Sequence, residues 1–590
     1  MARNKYNVDE TLETEFNFKH LMRSFQYIKR YKKLFFGAFF FSMVSILCGL
    51  LMPLFTANAI DEMIPNRDIR SLIIAGLSLV VIVVVQALCN RFRSRCSALA
   101  GQAIIRDIRR DLFTHLQELP FDYFDSRPHG KILVRVINYV NSVSDFLTNG
   151  IVNVILQVIS LILIAIFMLS LNVKLALVVF AGLPVFCVYI FSIKRKQRRA
   201  WQLQANKHSN FTAYLAESIN GERVTQSFAR EEVNYGINEE LATDARKAYL
   251  RAVTINHSIW PITMVISKAI FYLIYIIGVI YLRDAIAVGM LVAMTSYANR
   301  FWGPIQQLSN YYNQMVNTVS YLERIFQLMD EPITVTDPEG AVPLPQIQGG
   351  VDFDHVIFEY EKDRPILKDV SFQVAPGESI ALVGPTGAGK STIINLISRF
   401  YNIKSGAVKI DGTDIAGATL RSIRSQMGIM LQDTFIFSGT IIENIRYGRL
   451  DATDEECIAA AKQVFADDFI SKMPQGYYTV INERGDMLSA GQRQLLSFAR
   501  TLLSDPKILI LDEATSSIDT NTELLVQEGI KQLLKNRTSF VVAHRLSTIK
   551  DCDRIMYIND GVIAESGSHN ELMEKEGLYY HLYTSQLSND

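Results

Sequence analysis

The stretch Ser379-Ile380-Ala381-Leu382-Val383-Gly384-Pro385-Thr386-Gly387-Ala388-Gly389-Lys390-Ser391-Thr392 joins a short apolar run to a glycine-rich loop, and a helical pattern follows over residues 393–399. The apolar run predicts a strand, and the loop fits G-x-x-x-x-G-K-S set between strand and helix. Glycines there let backbone N–H groups approach phosphate oxygens, and the helix N-terminus adds its positive end. Lys390 is expected to reach the β- and γ-phosphates and Ser391 to ligate Mg²⁺. Downstream, Lys507-Ile508-Leu509-Ile510-Leu511-Asp512-Glu513 is a continuous apolar run ending in two acids. A strand buried on both faces has this pattern, and its polar tip belongs in the site. Asp512 is placed to hold Mg²⁺ and Glu513 to polarise an attacking water.

Outward from these motifs the composition changes. The chain has 590 residues, 49% of them hydrophobic and 20% charged, with a mean hydropathy of +0.16. That average is what a lipid-soluble half and a water-soluble half produce together. Lys+Arg and Asp+Glu both number 59, so there is no basic excess and no nucleic-acid partner is expected. The six cysteines form no C-x-x-C pair, which excludes the usual zinc and disulfide frameworks. The first twenty residues have the pattern of neither a cleavable signal nor a transit peptide.

The apolar material lies in the first half. Residues 34–60 and 71–90 carry no charged side chain; 146–173 and 175–193 form a second pair split by Lys174; 258–282 and 285–299 form a third. A helix needs about 20 apolar residues to cross the hydrocarbon core. Six spans are predicted, the last extending past Arg300 through polar residues. Lys29, Arg30, Lys32 and Lys33 precede the first span; Arg91, Arg93 and Arg95 open one long loop, and Lys194, Arg195, Lys196, Arg198 and Arg199 open the other. The positive-inside rule then puts both termini and both long loops in the cytoplasm. The loops carry helical mixtures of Leu, Ala, Ile and charge, with tips near residues 122–130 and 218–226 that could press on a cytoplasmic partner. A Pro- and Gly-rich linker at 331–349 separates a membrane domain, 1–330, from an α/β domain, 350–590.

The two phosphate-site motifs alone specify no more than a P-loop ATPase. Leu488-Ser489-Ala490-Gly491-Gln492, set before a predicted helix, resembles the signature of the ATP-binding cassette (ABC) family, Leu-Ser-Gly-Gly-Gln. Other marks of that family occur in order. Tyr360 matches the aromatic that stacks on adenine, Gln432 the Q-loop, Glu483-Arg484-Gly485 a short exporter loop, Ser517-Ile518-Asp519 the D-loop, and His544 the switch histidine. In the first half, residues 119–125 and 130–133 resemble the first coupling region of type IV, exporter-type ABC transporters. Glu217, Gly221 and Val224 resemble the second. Two departures stand out: Ala490 replaces a signature glycine, and Tyr139 stands where many members carry Asp.

The resemblance implies a six-span α-helical membrane domain followed by an α/β P-loop nucleotide-binding domain, using ATP and Mg²⁺. It assigns catalysis to Glu513, His544 and Gln432, and metal binding to Ser391, Gln432 and Asp512. ATP contacts fall on Tyr360, on Gly384, Pro385, Thr386, Gly387, Ala388, Gly389, Lys390, Ser391 and Thr392, and on Ser489, Gly491 and Gln492. Because ATP on one P-loop is covered by the signature of a second cassette, two half-transporters must pair. The consensus catalytic residues and the ending Tyr583-Thr584-Ser585-Gln586 favour a heterodimer with a degenerate partner over a homodimer. The expected activity is ATP-driven export of hydrophobic or amphipathic compounds across the bacterial cytoplasmic membrane, with a lipid or glycolipid flippase as the alternative. A peptide exporter, an importer and a non-transporting ATP-binding regulator fit less well. Lys268 and Arg300, ionisable groups within the fifth and sixth spans, are candidates for a substrate cavity.

Overall fold

The computed structural model describes residues 18–127, 129–281, 287–361, 363–430, 434–482, 485–512, 520–542 and 549–587. The chain divides into two compact units: Met1–Gln117 with His129–Glu331, and Glu118–Pro128 with Pro332–Asp590.

The first unit is helical. Five helical stretches among the described residues are long and apolar enough to cross a membrane: Lys32–Met63, Ile69–Glu118, Ile132–Leu171, Val173–Asn220 and Glu231–Ile280. A further long helix, Val288–Met329, completes the set and carries Asn299 and Arg300 near its first third. The apolar side chains face both ways. Leu50, Ile164, Met168, Val179, Phe186, Ile270, Ile274, Tyr297, Phe301 and Trp302 close one shared core drawn from the first, third, fourth, fifth and sixth spans. The second span turns Leu72, Ile73, Ile74, Leu77, Val80, Val81, Val83 and Val84 outward. In water such a surface would be expensive; in hydrocarbon it is the ordinary exterior.

Two long-range polar contacts pin the sixth span. Its first backbone amides, Gly289 and Met290, donate to the Asp61 carboxylate at 2.5 and 3.0 Å. This cap supplies both acceptors and charge to a helix N-terminus. Deeper in, Pro53 lies inside the first-span helix, Lys32–Asn58. Proline has no N–H, so the carbonyl four residues earlier, that of Gly49, loses its helical donor. Arg300 Nη1 donates to that carbonyl at 2.5 Å, and the Tyr297 hydroxyl donates to the neighbouring Leu50 carbonyl. Arg300, put forward above as a cavity group, is thus engaged with a backbone acceptor that proline leaves open.

The second unit is α/β. A four-stranded antiparallel sheet has the order β2-β1-β4-β5, with β1 Val351–Glu361, β2 Arg364–Val374, β4 Ser405–Ile410 and β5 Thr413–Asp414. A six-stranded sheet has the order β12-β11-β3-β10-β9-β6. Its strands are β3 Ser379–Val383, β6 Met427–Met430, β9 Ile508–Asp512, β10 Thr538–Val542, β11 Arg554–Asn559 and β12 Val562–Gly567. A short ribbon pairs β7 Gly439–Thr440 with β8 Val480–Ile481. Strands β3, β10, β9 and β6 run parallel, and β3 and β10 are buried throughout. Alternate side chains go to opposite cores. Ala381, Val383, Leu509, Leu511 and Val541 meet one set of helices, whereas Ile380, Leu382, Ile508, Ile510, Phe540 and Val542 share a core with the antiparallel sheet and the helix Lys390–Ile397. Burial on both faces explains why these strands are continuous apolar runs.

Arg300→Met should leave the Gly49 carbonyl without its partner and lower membrane-domain stability by about 1–3 kcal/mol. In a Pro53→Ala background the helix regains its own donor, so the same substitution should cost much less. Thermal unfolding of the four proteins measures the difference; equal losses in both backgrounds would refute the link between Pro53 and Arg300.

Candidate nucleotide site

Strand β3 ends at Val383, and the loop that follows turns on glycines with backbone angles unsuited to other residues. Gly384 has φ +138°, and a Cβ there would overlap the Ile558 carbonyl oxygen. Gly389, at φ +109°, is the residue before the helix Lys390–Ile397, and a Cβ would lie 2.8 Å from Leu367 Cδ2. Pro385, Thr386 and Gly387 are exposed at the loop tip, whereas Ala388 and Gly389 are buried beneath it. Lys390 is 8% exposed, and its ammonium donates to the carbonyls of Gly384 and Pro385 at 2.8 and 2.9 Å. Burial pulls the ammonium below its ordinary pKa, and the nearby Asp512 charge acts in the opposite sense. Ser391 is exposed in the first helical turn, and Thr392 is buried.

The parallel sheet gathers the remaining chemistry on one edge. Asp512, the last residue of β9, lies opposite Val542, the last of β10, and Met430 at the end of β6 lies opposite Leu511. Lys390 follows β3, the other neighbour of β10. Glu513, His544 and Gln432 themselves lie outside the described residues, as do Glu483, Arg484 and Ser517-Ile518-Asp519. The strands that lead into Glu513, His544 and Gln432, namely β9, β10 and β6, are all described, and all three end at the edge that carries the P-loop.

Tyr360, on β1, is 43% exposed, and its hydroxyl is 3.3 Å from Thr392 Oγ1, beside the P-loop helix. Its ring is edge-on to that of Tyr401, 5.0 Å between centroids. Tyr401 had no signal in the sequence, yet its hydroxyl donates to Asp125 at 2.9 Å, and Phe400 packs on Phe121 at 4.2 Å. Burial foremost, and Asp125 next, push the Tyr401 hydroxyl well above its ordinary pKa. The segment that resembles the first coupling region therefore reaches the aromatic pair that flanks the P-loop.

The signature residues sit at another helix start. Ser489 caps the helix Ala490–Leu503: its Oγ accepts from the Gln492 amide at 3.3 Å, and Gln492 Oε1 accepts from the Ser489 amide at 2.9 Å. This reciprocal capping box fixes the helix end and leaves the serine O–H as a donor. Gln492, expected as an ATP contact, is occupied here in holding Ser489. Gly491 is buried, and Ala490 is exposed in ordinary helical conformation, so the added methyl meets neither a steric nor a backbone objection.

Of the two candidate cavity residues, Arg300 holds the Gly49 carbonyl, and Lys268 is exposed on the fifth span with Nζ 5.3 Å from the centre of the Phe271 ring. The two are not in contact with each other.

Comparison with known proteins agrees with this geometry. Residues 35–305 match the ABC transporter transmembrane region, and residues 367–516 match the ABC transporter domain. The ABC transporter ATP-binding protein YknV of Bacillus subtilis (strain 168), itself uncharacterised, is 41% identical over 100% of this chain and 98% of its own length. YgaD of the same organism, named provisionally as a multidrug export ATP-binding/permease protein, is 36% identical over 96% of this chain and all of its own. A solved bacterial Atm1-family ABC exporter with ATP bound superimposes with a TM-score of 0.79 at 30% identity, covering 94% of this chain and 98% of that one. With a membrane region fused ahead of one ATP-hydrolysing cassette, the chain belongs to the ABC transporters, as a multi-pass exporter-type half-transporter that couples ATP hydrolysis to transport.

Proposed function

We propose that this half-transporter exports hydrophobic or amphipathic compounds across the cytoplasmic membrane by alternating access, as one of two paired chains. The observation that carries this reading is the shared strand edge: the P-loop, Asp512 and the strands leading to Glu513, His544 and Gln432 end together. The relationship to YgaD supports the multidrug class of cargo.

The reaction follows from the chain's own groups. Loop amides and the N-terminus of Lys390–Ile397 bind the ATP phosphates, and Lys390 exchanges the Gly384 and Pro385 carbonyls for phosphate oxygens. Tyr360 offers its exposed ring to the base. The exposed Ser391 hydroxyl and the Asp512 carboxylate are hard oxygen donors that suit Mg²⁺, and the ion when bound would neutralise charge on the phosphates. Glu513 orients water against the γ-phosphate, and His544 and Gln432 contact that group. One chain lacks a cover for its own nucleotide. The Ser489 O–H and the helix end it caps, presented by a second chain, complete each site, so ATP joins two cassettes and hydrolysis releases them. A heterodimer with a degenerate partner is the favoured pairing. Asp125 and Tyr401 form the step from cassette to membrane helices, because Glu118 ends the long second-span helix.

Three outcomes are expected. Glu513→Gln should keep ATP binding and lose about 10²–10⁴-fold in turnover, since phosphoryl transfer depends on a positioned water; near-normal phosphate release would refute the catalytic role. Tyr401→Phe removes the bond to Asp125 but keeps the ring against Tyr360. Basal ATPase should persist while stimulation by transported compounds falls, and adding Asp125→Asn should do little more; independent, additive effects would refute the coupling. In a background lacking the six native cysteines, a cysteine at Asn66 should label from outside and one at Ser126 only after permeabilisation; the reverse pattern overturns the orientation.

A further inference from the structure

Where the charge-free stretch 71–90 of the second span gives way to Arg91, Arg93 and Arg95, a cavity of about 250 Å³ opens between the first, second and third spans. Its lining includes Arg93, Ser94 and Ser97 from the second-span helix and Thr148, Asn149 and Asn153 from the start of the third. One cation and no carboxylate face it. The Arg93 Nε is buried and has no hydrogen-bond partner among the described residues, and the half-buried Asn153 lines the same cavity. Ser97 Oγ donates to Asn149 Oδ1 at 2.5 Å, so the amide NH₂ of Asn149 is the end left over. Thr148 spends its hydroxyl on the Ser144 carbonyl. The donors left for an occupant are therefore a guanidinium edge and the NH₂ groups of two amides, with Asn153 Oδ1 and the Ser94 hydroxyl beside them. A buried donor left unpaired is costly, and an anion that accepts from a guanidinium removes that cost with a charge-assisted bond.

Size and surroundings decide what kind of anion. The cavity holds about eight waters' worth of volume and falls below the ~300 Å³ at which drug-sized pockets begin, so it takes a headgroup and not a whole amphiphile. It lies where two charge-free spans reach their polar ends, which is headgroup depth. From Val152 in its wall, an exposed apolar ridge of Ile155, Val158, Ile162 and Ile166 runs along the third span toward the membrane interior. A free phosphate would make no use of that ridge; acyl chains would.

We propose that this cavity binds the phosphate of an anionic phospholipid, with Arg93 supplying the charge and Asn149 and Asn153 the flanking donors. Basic pockets between spans at the cytoplasmic face are suited to such headgroups, and only the choice of leaflet rests on the orientation proposed above.

The test uses the full-length purified transporter in detergent, titrated with phosphatidylglycerol, phosphatidylcholine or inorganic phosphate and followed by native mass spectrometry and thermal unfolding. Phosphatidylglycerol should bind and stabilise the wild type, and phosphatidylcholine should not. Arg93→Gln should weaken phosphatidylglycerol by about tenfold or more, whereas Arg91→Gln, which removes the same charge beside the cavity, should leave it unchanged. Asn153→Leu, which removes an amide donor and keeps the charge, should also weaken the lipid and serves if Arg93→Gln does not fold. Equal binding to wild type and both cavity variants overturns the site. Phosphate that displaces the lipid and reproduces its stabilisation overturns the lipid assignment. Binding in detergent is independent of both leaflet and ATP turnover, so an inverted topology or an inactive ATPase would leave this result standing.

Discussion

In a parallel sheet every strand leaves by the same edge, and neighbouring strands lie about 4.8 Å apart. That constraint governs the cassette. β3, β10, β9 and β6 are adjacent, so the loop after β3, Asp512 at the tip of β9 and the segments after β10 and β6 begin side by side. The edge is held by two cores at once, one against helices and one against the antiparallel sheet and the helix Lys390–Ile397. A one-residue slip of β9 would exchange Leu509 and Leu511 with Ile508 and Ile510 across those cores and displace Asp512 along the strand. The chemistry at the edge is thus as well placed as the apolar packing beneath it.

The membrane half works under the opposite solvent. Apolar side chains can point outward at no loss, so burial does little to choose between helix arrangements, and polar contacts matter more. Pro53 opens a carbonyl that lipid cannot satisfy, and Arg300 closes the gap from the sixth span, with Tyr297 donating to the next carbonyl. Asp61 does the same for the two amides that start that span. Both contacts join the first span to the sixth, one near each end of their shared core.

A segment of eleven residues, Glu118–Pro128, belongs by its contacts to the cassette although it lies in the first half of the chain. Phe121 against Phe400 supplies apolar contact, and Asp125 with Tyr401 supplies direction. Tyr401 in turn touches Tyr360, whose hydroxyl meets Thr392 next to the P-loop serine. Side chains beside the P-loop helix thus also hold the segment that follows the second span.

Local pattern carried much of this protein in its sequence. Strand–loop–helix spacing marks Lys390 and Ser391, long apolar runs mark the spans, and Ser-x-x-Gln at 489–492 is a helix-start pattern. These features depend on residues a few positions apart, where backbone geometry dictates which side chains meet. The partners of Arg300, Tyr401 and Asp61 lie 251, 276 and 228 residues away, and no periodicity encodes such pairs. Sequence marks Arg300 only as an ionisable group within a span; packing against the first span adds the carbonyl that Pro53 leaves open. Tertiary structure decided those roles because a hydrogen bond needs its two atoms within about 3 Å, and for groups so far apart in the chain only the completed fold brings them there.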